Sequence, residues 1–443
     1  MKRLIRKFIL SIYKIFIKLN FSYGIALILL ILTKPLNEKS KYRILSLNKS
    51  VFSNDLEEIK KVKGELQFLS FPRLLLSEII KNFVNNFEEL NDASYHPIMD
   101  GTPEQEKIYK AMYPVFKHLK RMLKFDAIFA GNYVYVSQQE LFKIAMENDV
   151  PVIVLYKEGI GAALKSSEAI SKRMYNGKKF LGQDILFYNS AIQKMLVEAQ
   201  ISGIKYENSH VVGIPRLDQY LKLNIEPSKG KHITLFSFDP LIKAERFVSD
   251  TSIIAEYIKR GEHFHSDFIR FCSEHTDYSL TIKTKEDPSS RNSINKILTN
   301  QCLKELPSNV VITSTENPTE LIMKSKFVAG FLSTTLLEAM LAERYILCPY
   351  LKDLFPKAER IDFFDNHPQS VNYTRSYNDL VSVLSKKENV NFVSEDSKKN
   401  ILEPLMYKID GNASERTIDK ITQIIESNKL NNNNKELKNY GFI

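Results

Sequence analysis

The sequence predicts an α/β protein of two Rossmann-like domains preceded by an amphipathic helical arm. Three observations carry that prediction. Short continuous apolar runs such as DAIFAG, VPVIVLY, HITLFSF and FVAG alternate with helical segments, the pattern of parallel strands covered on both faces. The alternation occurs in two series, separated after Asp218 by the polar, Pro- and Gly-containing segment LNIEPSKGK. The chain has 443 residues, too long for one ordinary core and long enough for two.

The amino-terminal arm, residues 1–40, holds most of the charge asymmetry. Residues 1–43 contain ten Lys or Arg against one acid, Glu38, while the whole chain carries a net charge of +10. Ile5, Phe8, Ile9, Ile12, Phe16 and Leu19 recur at helical spacing, and Arg3, Lys7, Lys14 and Lys18 share a different face. Such a segment is expected to lie in an anionic membrane surface, which would make the protein cytoplasmic and peripheral at the inner face of the cell membrane. The uncharged run between Lys18 and Lys34 has fifteen residues, short of the roughly 20 that a spanning helix needs. Packing of this run onto the protein body is a second reading, and a membrane span or signal a third. Thr33-Lys34-Pro35-Leu36 is a poor cleavage motif. The cations are interleaved with large aliphatics rather than stacking aromatics, which argues against nucleic acid as a partner.

The first domain is expected over 41–222. YRILSL reads as its first strand, and residues 50 to 120 as mostly helical. DAIFAG, the helix QQELFKIAMEND, VPVIVLY, DILFYNS, the helix AIQKMLVEAQ and HVVGIPRLD then continue the cycle. The second domain is expected over 230–427: HITLFSF, a helix at about 251–275, YSLTIKTK, NVVITS, the helix PTELIMKS, FVAG, and a strand in RYILCPY. Helices near 376–386 and 413–427 follow, and 428–443 reads as a frayed, low-complexity tail. Cys272, Cys302 and Cys348 show neither disulfide nor metal-ligand spacing, which points to a reducing compartment.

Candidate site residues lie where strands end. Ser333, Thr334 and Thr335 open a helix directly after FVAG, so hydroxyls and backbone N–H groups stand at the positive end of its dipole, an arrangement suited to phosphate. Glu338, one turn on, could reach a neighbouring sugar. Asp239, in Phe238-Asp239-Pro240, follows the first strand of the second domain, and Lys283 and Lys285 follow another. Cations there could neutralise a diphosphate leaving group. Glu158, in the turn after VPVIVLY, could take a proton from an acceptor hydroxyl. Arg216 can pair with Asp218 or with a donor phosphate. No Asp-x-Asp motif is present, so no metal and no cofactor is expected.

LLEAMLAERYILCPY resembles the signature of the carboxy-terminal domain of GT-B glycosyltransferases, with Arg344 where a Gly often stands. VVGIPRLD and the turn at Glu158 resemble elements of CDP-glycerol glycerophosphotransferase-like and surface-carbohydrate transferases. The resemblance implies two domains facing across a cleft, with Glu338 on the donor ribose, Ser333 to Thr335 near the donor phosphates, and Glu158 as the base. It implies partners in a nucleotide-activated sugar donor and a glycan or lipid-linked acceptor. The alternatives are a polyol-phosphate transferase, a nucleotide-sugar epimerase of similar fold, and a non-catalytic membrane scaffold.

Overall fold

A computed structural model of the chain describes residues 2–47, 51–91, 94–158, 160, 177–222, 230–237, 250–286, 288–300, 305–330, 333–354, 363–385 and 390–439. Two compact units emerge, Met1–Asp218 with Leu405–Ile443, and Gln219–Pro404. Each is Rossmann-like.

The first unit is built on a seven-stranded sheet: β1 (Lys34–Pro35), β2 (Tyr42–Leu47), β3 (Leu66–Ser70), β4 (Ala127–Ala130), β5 (Val152–Tyr156), β6 (Asp184–Phe187) and β7 (Ser209–Val211), in the order β1-β3-β2-β4-β5-β6-β7. All neighbours pair in parallel except β1 with β3. Every residue of β4, β5 and β6 is buried, which explains why these strands read as continuous apolar runs. The long helix Pro103–Leu123 starts where Thr102 accepts from the Gln105 amide at 3.2 Å and Pro103 takes the first position. It ends at Lys124, which adopts a left-handed φ of 51°.

Two helices precede the sheet, α1 (Lys2–Lys18) and α2 (Ser22–Leu32). Gly24, Ile25, Ala26, Ile28 and Leu29 of α2 are buried, and α2 packs against the helix Pro103–Leu123. The apolar run thus follows the second reading above on one of its faces. No helix of the described residues is long and apolar enough to cross a membrane.

The second unit has a six-stranded, wholly parallel sheet: β8 (His232–Phe236), β9 (Ser279–Lys283), β10 (Val310–Thr313), β11 (Phe327–Gly330), β12 (Tyr345–Pro349) and β13 (Asn372–Thr374), ordered β10-β9-β8-β11-β12-β13. Numbered within the unit, this is 3-2-1-4-5-6, the order of dinucleotide-binding Rossmann sheets. Ile233, Leu235, Ile282, Phe327 and Leu347 fill its core together with Phe268 of the helix Thr251–Glu274.

Three elements differ from the sequence reading. β3 lies inside a stretch expected to be mostly helical, because its five residues gain a parallel partner in β2 that no local pattern announces. β13 adds an edge strand where the sequence looks irregular. Residues from Leu405 onward, expected to close the second domain and end in a frayed tail, belong to the first unit. The helix Ala413–Asn439 runs through most of the low-complexity stretch. The Asp218 carboxylate accepts from the amides of Ala413 and Ser414 at 3.1 and 2.7 Å, capping that helix, and Arg416 donates to the Val212 carbonyl at 2.9 Å. Gly213 has φ +91°, and a Cβ there would stand 3.2 Å from the Met406 carbonyl, so this crossing point requires glycine.

Candidate functional site

In the second unit β8 lies between β9 and β11. The chain leaves β8 toward one edge of the sheet and β11 toward the other, so the carboxyl ends of β8 and β11 flank the topological switch point, where open α/β sheets bind ligands. Phe236 and Gly330, the last residues of the two strands, are register partners. A Cβ on Gly330 would come within 3.3 Å of the Phe236 carbonyl. Ser237 follows β8 and Ser333 comes shortly after β11.

Ser333 and Thr335 share a hydrogen bond at 2.7 Å, and both are half-buried. The helix Thr335–Leu341 starts with Thr334 in a helical conformation and no side-chain cap bond. Leu336, Leu337, Ala339, Met340 and Leu341 of this helix are buried, and so is Glu338, at 8% exposure, which sets it apart from a solvated helix acid. Tyr220 donates its phenol to Glu338 Oε2 at 3.0 Å, fixing the carboxylate. Arg344 is buried rather than turned outward. It donates to the carbonyls of Ile322 and Met323 at 3.2 and 3.0 Å, closing the end of the helix Pro318–Lys324. The left-handed position in this turn belongs to its neighbour Glu343, with φ 56°.

His265, fully buried on the helix Thr251–Glu274, orients Ser237. Its Nδ1 lies 2.6 Å from the Gly261 carbonyl, which only accepts, so Nδ1 carries the proton. Burial pulls the imidazole down to about 4, leaving the ring neutral near pH 7. Nε2 therefore accepts from the Ser237 hydroxyl at 2.8 Å, and the Ser237 oxygen has lone pairs to offer.

Lys283, the last residue of β9, donates to the carbonyls of Thr284 and Ser314 at 2.8 and 2.9 Å, and partial burial lowers its pKa. Lys285 is exposed. Asp239 lies outside the described residues. The carboxyl ends of β8 and β11 are thus followed by Ser237 on one side and, on the other, by Ser333, Thr335 and the helix that bears Glu338.

The carboxyl edge of the first sheet is built differently. Glu158, two residues past β5, is paired with Lys157 at 2.7 Å and lies 3.4 Å from both Asn132 Nδ2 and the Tyr135 hydroxyl. Burial works to lower the Lys157 pKa, but the bond and charge of Glu158 outweigh it and hold the lysine above its ordinary value. Asn132 and Tyr135 come from the loop after β4, the strand beside β5. Arg73, buried just past β3, places its guanidinium 4.5 Å from the centre of the Tyr135 ring and donates to Ser137. Behind them Glu140 is fully buried and accepts from Tyr95 and Gln105 at 2.8 and 2.9 Å.

Arg216 belongs to this unit and is buried. Its side chain donates to Asp55 at 3.3 Å and to the Tyr188 hydroxyl at 3.0 Å, while Tyr188 in turn donates to Asp55. Burial pushes the Asp55 carboxyl up, and the charge of Arg216 opposes it. Its acidic partner is thus Asp55 rather than Asp218, which caps the helix Ala413–Asn439 instead.

The sequence reading passed over Arg73, Asn132, Tyr135, Glu140, Ser237 and His265. For Asn132 and Tyr135 a signal was available, since both follow an apolar strand within a few residues. For Arg73 none existed, because β3 itself was not visible.

No protein-family model matches the chain, and no curated protein matches its sequence. Among solved structures, the chain is similar to UDP-GlcNAc 2-epimerase from Neisseria meningitidis bound to UDP-GlcNAc, at 13% identity and a TM-score of 0.44, over 86% of this chain and 100% of that one. It is similar to S. aureus MnaA in a co-structure with UDP, at 14% identity and a TM-score of 0.47, over 87% and 97%. It is also similar to a glycosyltransferase from Rickettsia africae, at 10% identity and a TM-score of 0.42, over 88% and 98%. The Rossmann-like assignment of each unit rests on its own strand order.

Proposed function

We propose that the chain is a GT-B type glycosyltransferase that moves a sugar from a nucleotide-activated donor to a surface-polysaccharide or lipid-linked acceptor. The observation that carries this reading is the 3-2-1-4-5-6 sheet, with the Ser333–Thr335 turn and the buried Glu338 following the strand at its switch point. In this reading the second unit holds the donor, with the Ser333–Thr335 turn on its diphosphate and Glu338 on its ribose. Ser237, whose hydrogen is taken by His265, accepts from a hydroxyl or N–H of the nucleotide. The first unit holds the acceptor, and Glu158 is the base, oriented by Lys157, Asn132 and Tyr135.

The reaction exchanges one bond at the anomeric carbon. The acceptor oxygen bonds to that carbon, its proton passes to the Glu158 carboxylate, and the bond to the diphosphate oxygen breaks with its electrons leaving on the nucleoside diphosphate. The epimerase alternative uses the same nucleotide site without an acceptor.

Thermal unfolding in the presence of UDP-, GDP-, CDP- and CMP-linked compounds tests the donor site, because only a bound species raises the melting temperature. Incubation with the stabilising compound, alone and with a glycan acceptor, then separates the chemistries. Acceptor-dependent release of nucleotide supports the transferase, epimerised donor without acceptor supports the epimerase, and no stabilisation by any compound overturns the nucleotide site.

A further inference from the structure

We infer that α1 and α2 form one docking surface for an anionic lipid bilayer, lying in the interface rather than crossing it. Of the fourteen large apolar side chains exposed among the described residues, seven fall between positions 8 and 31. They are not scattered. Phe8 and Ile15 fall on one face of α1, Leu19 continues that face just past the helix end through its amide bond to the Ile15 carbonyl, and Tyr23, Leu27 and Ile31 fall on one face of α2, spaced by whole turns. Phe21 joins the two at the turn. An apolar surface of this size on two adjoining helices is a mark of a partner.

The charges identify the partner. Lys7 and Lys18 are exposed and precede Phe8 and Leu19, so they lie about 100° round the helix from that apolar face, as in a helix lying in a headgroup layer. No acidic residue occurs before Glu38. Two copies of this surface would bring like charges together, whereas anionic lipid headgroups complement it. A span is ruled out by length and packing: the eleven residues of α2 reach about 16 Å, near half of a hydrocarbon core, and its other face is buried on the helix Pro103–Leu123.

The hairpin is held to the body, so it presents the surface in a set orientation. Tyr13 donates to the Leu75 carbonyl at 3.0 Å, and Lys14 pairs with Glu78 at 3.2 Å. Gly24 lets the two helices close up, since a Cβ there would fall 2.5 Å from the Phe21 ring and 2.6 Å from the Phe16 ring. The inference rests on this hairpin and not on the transferase reading.

Flotation of the full chain with vesicles of phosphatidylcholine, with and without phosphatidylglycerol, tests it. The chain should float with the anionic vesicles. Leu19→Ser combined with Leu27→Ser should weaken that binding at least about tenfold, with at most a small drop in melting temperature, since Leu19 is 70% and Leu27 38% exposed. Lys7→Gln combined with Lys18→Gln should weaken it roughly tenfold on anionic vesicles and leave binding to neutral ones as it was. The inference is overturned if the full chain does not float with anionic vesicles, or if both double variants float like the parent. It is equally overturned if the parent is a dimer that Leu19→Ser with Leu27→Ser converts to a monomer. The nucleotide-induced thermal shift in vesicle-free buffer reports on the donor site separately, so the two readings fail independently.

Discussion

The two sheets finish their strands with different chemistry. At the carboxyl edge of the first, long charged side chains are matched: the largely buried side chain of Lys157 with half-exposed Glu158, buried Arg216 with buried Asp55, and buried Arg73 against Tyr135 and Ser137. At that of the second, the described residues are mostly short hydroxyls, Ser237, Ser333 and Thr335, with a neutral His265 and one buried acid, Glu338. Buried charges are costly unless paired, so the first edge is a set of fixed, mutually oriented groups. The second carries the cations of Lys283, at the end of β9, and of the exposed Lys285 just past it, and such an edge favours a ligand bringing its own negative charge. In the proposed reading, that difference divides chemistry from donor binding between the two Rossmann-like units.

The largest expected effect tests the first edge as the place of chemistry. Glu158→Gln should lower the transfer rate by about 10²–10⁴-fold while the nucleotide-induced thermal shift stays as in the parent. A loss of nucleotide stabilisation in this variant would break the division between the edges. Next in size is the buried pair. Asp55→Asn strands the Arg216 cation and should cost about 3–5 kcal/mol in urea unfolding, whereas replacing both partners with apolar residues of similar volume should restore much of that. If the single and double variants are equally unstable, the pair is not the source of the loss.

The second edge makes a prediction in pH. His265 sits at about 4 in the folded protein against an ordinary value of 6.5. Above pH 6.5 it is neutral in both folded and unfolded chains and its contribution is fully present. Between 6.5 and about 4 only the unfolded chain takes up the proton, so stability falls as pH falls, by a total on the order of 3 kcal/mol, and levels off below. His232, lowered to about 4 chiefly by burial, adds in the same direction. Unfolding midpoints in a pH series should show this acid limb, and His265→Asn should make it shallower, leaving the part due to His232. The smallest effect is Glu338→Ala, which should weaken donor-nucleotide binding roughly tenfold in titration calorimetry, since a hydrogen bond to a charged group contributes about 1.5–3 kcal/mol. Unchanged affinity would remove Glu338 from the site.

How much of this was legible depended on how local each feature is. The segment from Phe327 to Tyr350 reads correctly as strand, turn, helix and strand, because each element is announced by its own apolar run and its own turn residues. Glu158 was placed after its strand for the same reason. The partner of Arg216 was not legible: Asp218 is two residues away and Asp55 is 161 residues away, and nothing local distinguishes them. Glu140 stands in the first turn of a helix, where acids are ordinary, and only the approach of Tyr95 and Gln105 makes it a buried acceptor.

The order of apolar runs and turn residues determined on its own that the chain would form two α/β units, where the strands other than β1, β3 and β13 end, and that the first forty residues are basic and apolar at helical spacing. Those are consequences of backbone periodicity and solvation, which act within a few residues. Tertiary structure alone decided that β8 and β11 lie side by side, that His265 meets Ser237, that the last helix returns to the first unit, and that α2 covers one face and exposes the other. Each depends on which strands pair and which surfaces meet, and those choices are set by packing across the whole chain rather than by any stretch of it.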